Sequence, residues 1–164
     1  WVAADHHFSH ANILTFKRDD GTPLRPFDTI EEHDDTIIAR HNEMVAPSDR
    51  VYMLGDVVMH RRNLPILSRL NGRLVLVKGN HDICKLKEYI PYFDDIRAYV
   101  VQKDQEGNKV ILSHIPVYPD CLGRFGTNIH GHLHYNRIDD ARYKCVSLEH
   151  TNYAPIQIYE ALKL

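Results

Sequence analysis

Short apolar stretches alternate with amphipathic segments along the chain, and the two patterns predict different elements. Apolar or alternating runs predict strands near residues 1–4, 51–54, 74–77, 96–102, 109–112, 127–130, 145–148 and 156–159. Helices are predicted over residues 11–16, 29–45, 64–70 and 84–89. The helix over 29–45 has the clearest signal, because Thr29 and Glu32 form a capping box at its start. Its apolar stripe comprises Ile30, Ile37, Ile38 and Met44. Strands mixed with helices in this way predict an α/β fold.

Polar clusters directly follow five of the predicted strands. They are Asp5-His6-His7, Gly55-Asp56, Gly79-Asn80-His81-Asp82, Ser113-His114 and His130-Gly131-His132-Leu133-His134. In open α/β sheets, ligands bind beyond the carboxyl ends of the strands. We therefore expect these clusters to converge on one site, although they are far apart in the sequence.

The spacing and chemistry of these clusters indicate a metal site. In an extended backbone, residues i and i+2 point to the same face, so Asp5 with His7, and His132 with His134, would each direct two ligands the same way. Carboxylate, imidazole and carboxamide groups without thiolate suit Mn, Fe, Co, Ni or Zn. Seven candidates are too many for one ion, whereas two ions sharing a carboxylate would use them all. The candidate ligands are Asp5, His7, Asp56, Asn80, His114, His132 and His134.

Composition agrees with a soluble enzyme-sized unit. The 164 residues match one domain, residues 1–164, and the 12 histidines are unusually many. The net charge of −2 provides no overall basic field for holding nucleic acid. The longest apolar runs, such as residues 74–77, are too short to span a membrane, so we expect no membrane partner.

The cysteines indicate the compartment. Cys84, Cys121 and Cys145 are odd in number and lack a C-x-x-C pair, which fits a reducing environment. With no signal peptide at the start, we expect a cytoplasmic protein. Because the chain begins at Trp1, within a predicted strand, we also expect a few residues to precede it in the natural protein.

The ordered set D-x-H, G-D, G-N-H-D, S-H and G-H-x-H resembles the calcineurin-like metallophosphoesterase superfamily, and it extends from Asp5 to His134. Residues 5–13 and 146–153 are also similar to a small bacterial and phage-associated branch of phosphoesterases. The resemblance implies an α/β fold of the αββα type. In that fold a two-sheet β-sandwich is flanked by helices, with a dinuclear metal site at one edge.

The resemblance also implies roles for the candidate ligands, with Asp56 bridging two divalent metal ions, of which Mn is the expected one. The first ion would be held by Asp5, His7, Asp56 and His134. The second would be held by Asp56, Asn80, His114 and His132. A water activated between the ions would attack phosphorus.

Several further residues are candidates for contact with substrate. The resemblance places His81 near the phosphate as the acid that protonates the leaving group, with Asp82 orienting it; Asp82 could instead cap the next helix. His10 and Asn12 would touch substrate, although Asn12 could equally cap a helical turn. Arg124 could bind a phosphate oxygen or be a solvated loop residue.

The expected activity is that of a phosphodiesterase on small or nucleotide-type diesters, including cyclic nucleotides. The alternatives are a phosphomonoesterase acting on proteins or metabolites, and a nuclease acting on nucleic-acid ends. A scaffold without catalysis is disfavoured because every candidate ligand is present. The sequence does not indicate an oligomeric state.

Overall fold

The computed structural model describes residues 1–164, and its strands form two four-stranded sheets. The first sheet is parallel throughout and has the order β1 (Val2–Ala3), β2 (Arg50–Met53), β3 (Arg73–Val77) and β4 (Asp95–Arg97). The second has the order β5 (Val100–Lys103), β6 (Lys109–Ser113), β7 (Thr127–His130) and β8 (Tyr143–Cys145). In this sheet β5 pairs antiparallel with β6, and the other pairs are parallel.

Three α-helices and four 3₁₀ helices accompany the sheets. The α-helices are α1 (Ile30–Met44), α2 (Leu86–Tyr89) and α3 (Ile158–Ala161). The 3₁₀ helices are Ala11–Leu14, Arg61–Arg69, Pro119–Arg124 and Leu148–His150. No helix is both long and apolar enough to cross a lipid bilayer.

Alternate residues of β2 face different layers. Val51 and Met53 belong to a core cluster with residues of α1 and of the 3₁₀ helix Arg61–Arg69. Tyr52 and Leu54 belong to a second cluster with residues of β6 and β7, between the two sheets. On the outer face of the second sheet, the 3₁₀ helix Pro119–Arg124 contributes to a third cluster. The prediction of a two-sheet sandwich flanked by helices is therefore confirmed.

Helix α1 is anchored by polar groups as much as by apolar ones. The Thr29 hydroxyl accepts a hydrogen bond from the Glu32 amide at 3.1 Å, as the predicted cap requires. Of the predicted stripe, Ile37 and Ile38 are buried, but Met44 is 45% exposed and Ile30 only half-buried. The buried face is completed by His33, Asp34 and His41.

Some predicted elements differ from the structure. Residues 96–102 form two strands in different sheets, β4 and β5, because the chain crosses between sheets at Ala98 and Tyr99. The predicted helix over residues 64–70 is part of the 3₁₀ helix Arg61–Arg69, with Leu70 as its C-cap. This helix contains Pro65, which has no amide hydrogen to donate. The predicted strand at 156–159 reduces to one bridge between Val2 and Ile156, followed by α3.

Candidate metal centre

Loops at the carboxyl ends of both sheets bring the candidate ligands together. Asp5, Asp56 and Asn80 follow β1, β2 and β3 of the first sheet. His114 follows β6, and the loop after β7 carries His132 and His134. Clusters that are distant in sequence thus converge on one edge, as expected. The strands that end at this edge come from both sheets.

One set of side chains forms the first ligand group, which is Asp5, His7 and His134. Their ligand atoms all lie within 4.8 Å of one another. Asp5 Oδ2 accepts hydrogen bonds from the His132 amide at 2.9 Å and the Ser147 hydroxyl at 2.6 Å, but Asp5 Oδ1 has no partner. Both ring nitrogens of His7 are also buried without a partner. The group therefore presents unsatisfied donor atoms to a common point.

A second set adjoins the first and forms the second ligand group, which is Asp56, Asn80, His114 and His132. His114 Nε2 lies 2.7 Å from Asn80 Oδ1, 3.2 Å from His132 Nδ1 and 3.4 Å from Asp56 Oδ2. Asp56 Oδ2 also lies 3.8 Å from His7 Nε2 of the first group. Asp56 therefore stands between the two groups, in the position of a shared carboxylate.

The hydrogen bonds around His114 show that the second group fits a cation. His114 Nδ1 lies 2.9 Å from the Leu54 carbonyl oxygen, which can only accept, so Nδ1 carries the proton. The other ring nitrogen, Nε2, faces the oxygens of Asn80 and Asp56. Buried lone pairs that face one another repel unless a proton or a cation lies between them. Both groups therefore suit divalent ions, whose preferred ligands are imidazole, carboxylate and amide oxygens.

Burial shifts the pKa of each residue of the first group, and nearby charges modify the shift. Burial raises the pKa of the Asp5 carboxyl, although the nearby rings of His134 and His114 oppose this shift. Burial also holds the pKa of His7 well below its ordinary value, which favours the neutral, metal-binding imidazole. For His134 burial lowers the pKa too, but the hydrogen bond and charge of Glu149 outweigh it, so the pKa of His134 is raised.

The ligand loops have a left-handed backbone rather than an extended one. Positive φ angles occur at Asp5 (60°), His7 (50°), Asp56 (53°), His132 (70°) and His134 (52°). Each such non-glycine residue costs on the order of 1 kcal/mol or more, and strain of this kind concentrates at functional sites.

The left-handed conformation corrects the prediction from i, i+2 spacing. Asp5 and His7 do share one group, but His132 belongs to the second group and His134 to the first. The prediction that the H-x-H pair points one way is therefore wrong. The division between two groups matches the assignment that the family resemblance implied.

Close backbone approach explains two glycines of the motifs. A Cβ on Gly55, whose φ is +79°, would lie 2.6 Å from the Gly79 backbone and 2.7 Å from His114 Nδ1. A Cβ on Gly79 would collide with the Asp56 carboxylate and amide. The loops after β2 and β3 can pack against each other only because both residues lack side chains.

Asp82 does not have the predicted contact with His81. Its carboxylate is fully buried and accepts hydrogen bonds from the amides of Asp56 (2.9 Å), Val57 (3.0 Å) and Gly79 (2.8 Å). No hydrogen bond joins it to the His81 ring, so the predicted orienting role is wrong. It does not cap α2 either, since Lys85 occupies that position. Asp82 instead fixes the two ligand loops to each other.

The residues predicted to contact substrate differ in how close they lie to the candidate ligands. His81 is exposed and His10 half-buried, and their rings lie 5.9 Å and 5.5 Å from the His7 ring. Asn12 is exposed, and its side chain forms no hydrogen bond. Arg124 is exposed and precedes β7, at the opposite end of that strand from His132 and His134, which favours the alternative of a solvated loop residue.

Three residues that support the site were not predicted from the sequence. Ser147 donates to Asp5, and Glu149 Oε1 lies 3.0 Å from His134 Nδ1. Arg25 donates to Glu149 at 2.9 Å and to the carbonyl oxygens of Asp5 and His6. Ser147 and Glu149 lie in the stretch 146–153 that the resemblance includes, whereas no sequence signal marks Arg25.

Comparisons with known proteins give the family. No family model matches the chain. The chain is 31% identical to the uncharacterized protein MJ1445 of Methanocaldococcus jannaschii over 175 residues, which cover 100% of this chain and 89% of that protein. It is also 31% identical to the protein of unknown function AQ665 from Aquifex aeolicus, with a TM-score of 0.75 over 99% of this chain and 96% of that chain.

A solved archaeal phosphodiesterase has a similar fold, with a TM-score of 0.51 and 14% identity over 89% of this chain and 80% of that chain. The structure is thus a two-sheet α/β sandwich of a type also found in a phosphodiesterase. Within that class, the chain belongs to the same family as the archaeal protein MJ1445.

Proposed function

We propose that the protein is a phosphoesterase of the metallophosphoesterase superfamily that uses two divalent metal ions, Mn²⁺ by preference, and favours phosphodiesters. The observation that carries this proposal is the position of Asp56 Oδ2. It lies 3.8 Å from His7 of the first ligand group and 3.4 Å from His114 of the second. One carboxylate between two sets of nitrogen and oxygen ligands is the arrangement that a pair of ions requires.

Two ions in these groups would supply an activated water and would neutralise the phosphate oxygens. The protein's own contribution is to hold the ligands in place before substrate binds. Asp82 joins the loops of Asp56 and Gly79, and the His81 amide donates to Asp56 Oδ1 at 2.8 Å. These bonds fix the bridging carboxylate.

His81 is the candidate for proton transfer to the leaving group. Its ring is exposed, lies 5.9 Å from the His7 ring and takes part in no hydrogen bond. A free imidazole at the mouth of the site can donate a proton to an alkoxide as it departs. His10, whose ring lies 5.5 Å from the His7 ring, would face the same substrate.

The charges around the site favour a phosphodiester over a phosphomonoester. No Lys or Arg side chain bonds to a candidate ligand side chain, and Arg25 is directed to backbone carbonyls and to Glu149. A monoester dianion therefore lacks the guanidinium clamp that such anions often bind. A diester carries one negative charge less, and nucleotides or nucleic-acid ends would supply it.

The test compares hydrolysis of bis-p-nitrophenyl phosphate and p-nitrophenyl phosphate by metal-stripped protein, with and without Mn²⁺. We expect Mn²⁺-dependent hydrolysis that is faster for the diester. Asp56→Asn should nearly abolish turnover, because the bridging charge is lost. Asp139→Asn, which makes the same change at an exposed aspartate, is the matched control.

The outcomes separate the alternatives. Faster hydrolysis of the monoester would contradict the diester preference and indicate a phosphatase. Retention of most activity by Asp56→Asn would contradict the shared-carboxylate site. If wild-type protein hydrolyses neither ester with Mn²⁺, Co²⁺, Ni²⁺, Fe²⁺ or Zn²⁺, the proposed activity on simple esters is wrong.

A further inference from the structure

We propose that Glu149, held by Arg25, is a positioning residue that orients His134 and serves the first ligand group selectively. This inference rests on the metal binding that the proposed function requires. The side chains of Arg25 and Glu149 are both 0% exposed, and Arg25 Nε donates to Glu149 Oε1 at 2.9 Å. Removing both charges of a buried ion pair from water is costly unless good geometry and further hydrogen bonds offset that cost.

The same carboxylate oxygen also binds the His134 ring. Glu149 Oε1 lies 3.0 Å from His134 Nδ1 and, as part of a carboxylate, accepts the proton there. Nε2 is then the ring nitrogen left for a metal ion, and His134 shares a ligand group with Asp5 and His7. Ligating histidines characteristically direct their second nitrogen to such a carboxylate, which fixes the tautomer and the ring plane. Glu149 Oε2 has no partner, so Arg25 and His134 are the only hydrogen-bond donors to this carboxylate.

Arg25 extends the network to the loop that carries Asp5 and His7. It donates to the carbonyl oxygens of Asp5 and His6, and its Nη1 lies 2.9 Å from His33 Nε2. Because a guanidinium only donates, His33 Nε2 must accept.

The hydrogen-bond network reaches α1 through the ring of His33. Since its Nε2 accepts from Arg25, its proton is on Nδ1, which lies 2.8 Å from Asp34 Oδ1. Asp34 in turn accepts from the amide and hydroxyl of Ser9. One buried network thus ties α1, the Asp5 loop and His134 together.

No buried ion pair stands behind the histidines of the second ligand group, although the His81 amide supports its Asp56. His114 Nδ1 donates to a backbone carbonyl, that of Leu54, and His132 Nδ1 faces His114 within the group. Asn80 is exposed, and its only side-chain hydrogen bond is to His114. Loss of Glu149 should therefore weaken one of two metal-binding events and leave the other unchanged.

The experiment is calorimetric titration of the metal-free protein with Mn²⁺, which measures binding without turnover. We expect two binding events in the wild type. Glu149→Met, which removes the acceptor, should weaken one event by roughly 10–100-fold, the usual effect of losing such a partner. Arg25→Met should weaken the same event. Glu88→Gln, which removes the charge of a surface partner of Arg61, is the control and should change neither event.

Glu149→Gln keeps an acceptor oxygen and covers the case in which Glu149→Met fails to fold. It should weaken the same event, but less, because the oxygen still accepts from His134 while the charge is gone. Equal weakening of both events, or no change in either, would overturn the positioning role. If the wild type binds no Mn²⁺ at all, the proposed function fails together with this inference.

Discussion

At the scale of single residues, Asp82 is the residue type that the motif predicts, but its role differs from the expected one of orienting His81. Its carboxylate accepts from two amides of the loop after β2 and one of the loop after β3. Burial raises the pKa of this carboxyl, while the three amides act in the opposite direction. The residue next to His81 therefore supports the backbone of the site rather than proton transfer.

Asp82→Ala should unfold more easily by roughly 3 kcal/mol or more, because each buried amide left without an acceptor costs about 1–3 kcal/mol. Asp82→Asn keeps one acceptor oxygen and should lose less. Urea denaturation of metal-free protein measures both, with Asp139→Asn as the exposed control. A variant as stable as wild type would show that Asp82 does not hold the loops.

A separate prediction concerns His81, whose side chain is exposed and contributes little to packing, so that its replacement should affect catalysis more than stability. His81→Ala should reduce hydrolysis of alkyl diesters by roughly 10²–10⁴-fold, the usual range for general acid catalysis. Aryl esters should lose much less, because nitrophenolate departs without a proton. Comparing kcat for a dinucleotide and for bis-p-nitrophenyl phosphate checks this, and an equal loss for both would indicate phosphate binding instead.

At the scale of elements, α1 packs a polar face into the core. His41 is fully buried near its end, with Nε2 2.8 Å from the Asn71 carbonyl oxygen and Nδ1 without a partner. Burial lowers the pKa of His41, although the bond to Asn71 opposes the shift. The helix thus carries a histidine whose protonation is less favourable in the folded protein than in the unfolded chain.

Stability should consequently fall as the pH drops below about 6.5, the ordinary histidine value, since the unfolded chain then binds a proton that folded His41 does not. His41→Gln should be less stable than wild type at pH 8, and the difference should narrow toward pH 5. Urea unfolding at several pH values measures it. His60→Gln, at an exposed histidine, is the matched control; a constant difference for His41→Gln across this pH range would contradict the mechanism.

Elements were predictable from the sequence where one local signal decides them. The apolar run 51–54 predicts β2, and Thr29 with Glu32 marks the start of α1. The split of residues 96–102 between two sheets has no local signal, because it depends on which strands β4 and β5 meet. The prediction that His132 and His134 point the same way was wrong for a related reason, since spacing assumes an extended backbone and both residues have positive φ.

At the scale of the whole molecule, the site joins parts of the chain that no short pattern connects. Arg25 and Glu149 are 124 residues apart, and Ser147 and Asp5 are 142 apart. The candidate ligands could be picked out from the sequence because each follows an apolar strand in a distinctive polar cluster. Their supports were not, since a buried arginine in a turn-rich segment resembles a solvated one until the fold places it.

The same convergence predicts that metal ions stabilise the whole fold. Without ions, buried donors of both ligand groups face one another, and Asp5 Oδ1 and both His7 nitrogens lack partners. A single site at a hundredfold excess over its Kd contributes about 2.7 kcal/mol, which for a chain of this size raises Tm by roughly 5 °C or more. Thermal unfolding of stripped protein with increasing Mn²⁺ measures the shift. Asp56→Asn should show a much smaller one, because it removes the carboxylate between the groups; an undiminished shift would place the bound ions elsewhere on the protein.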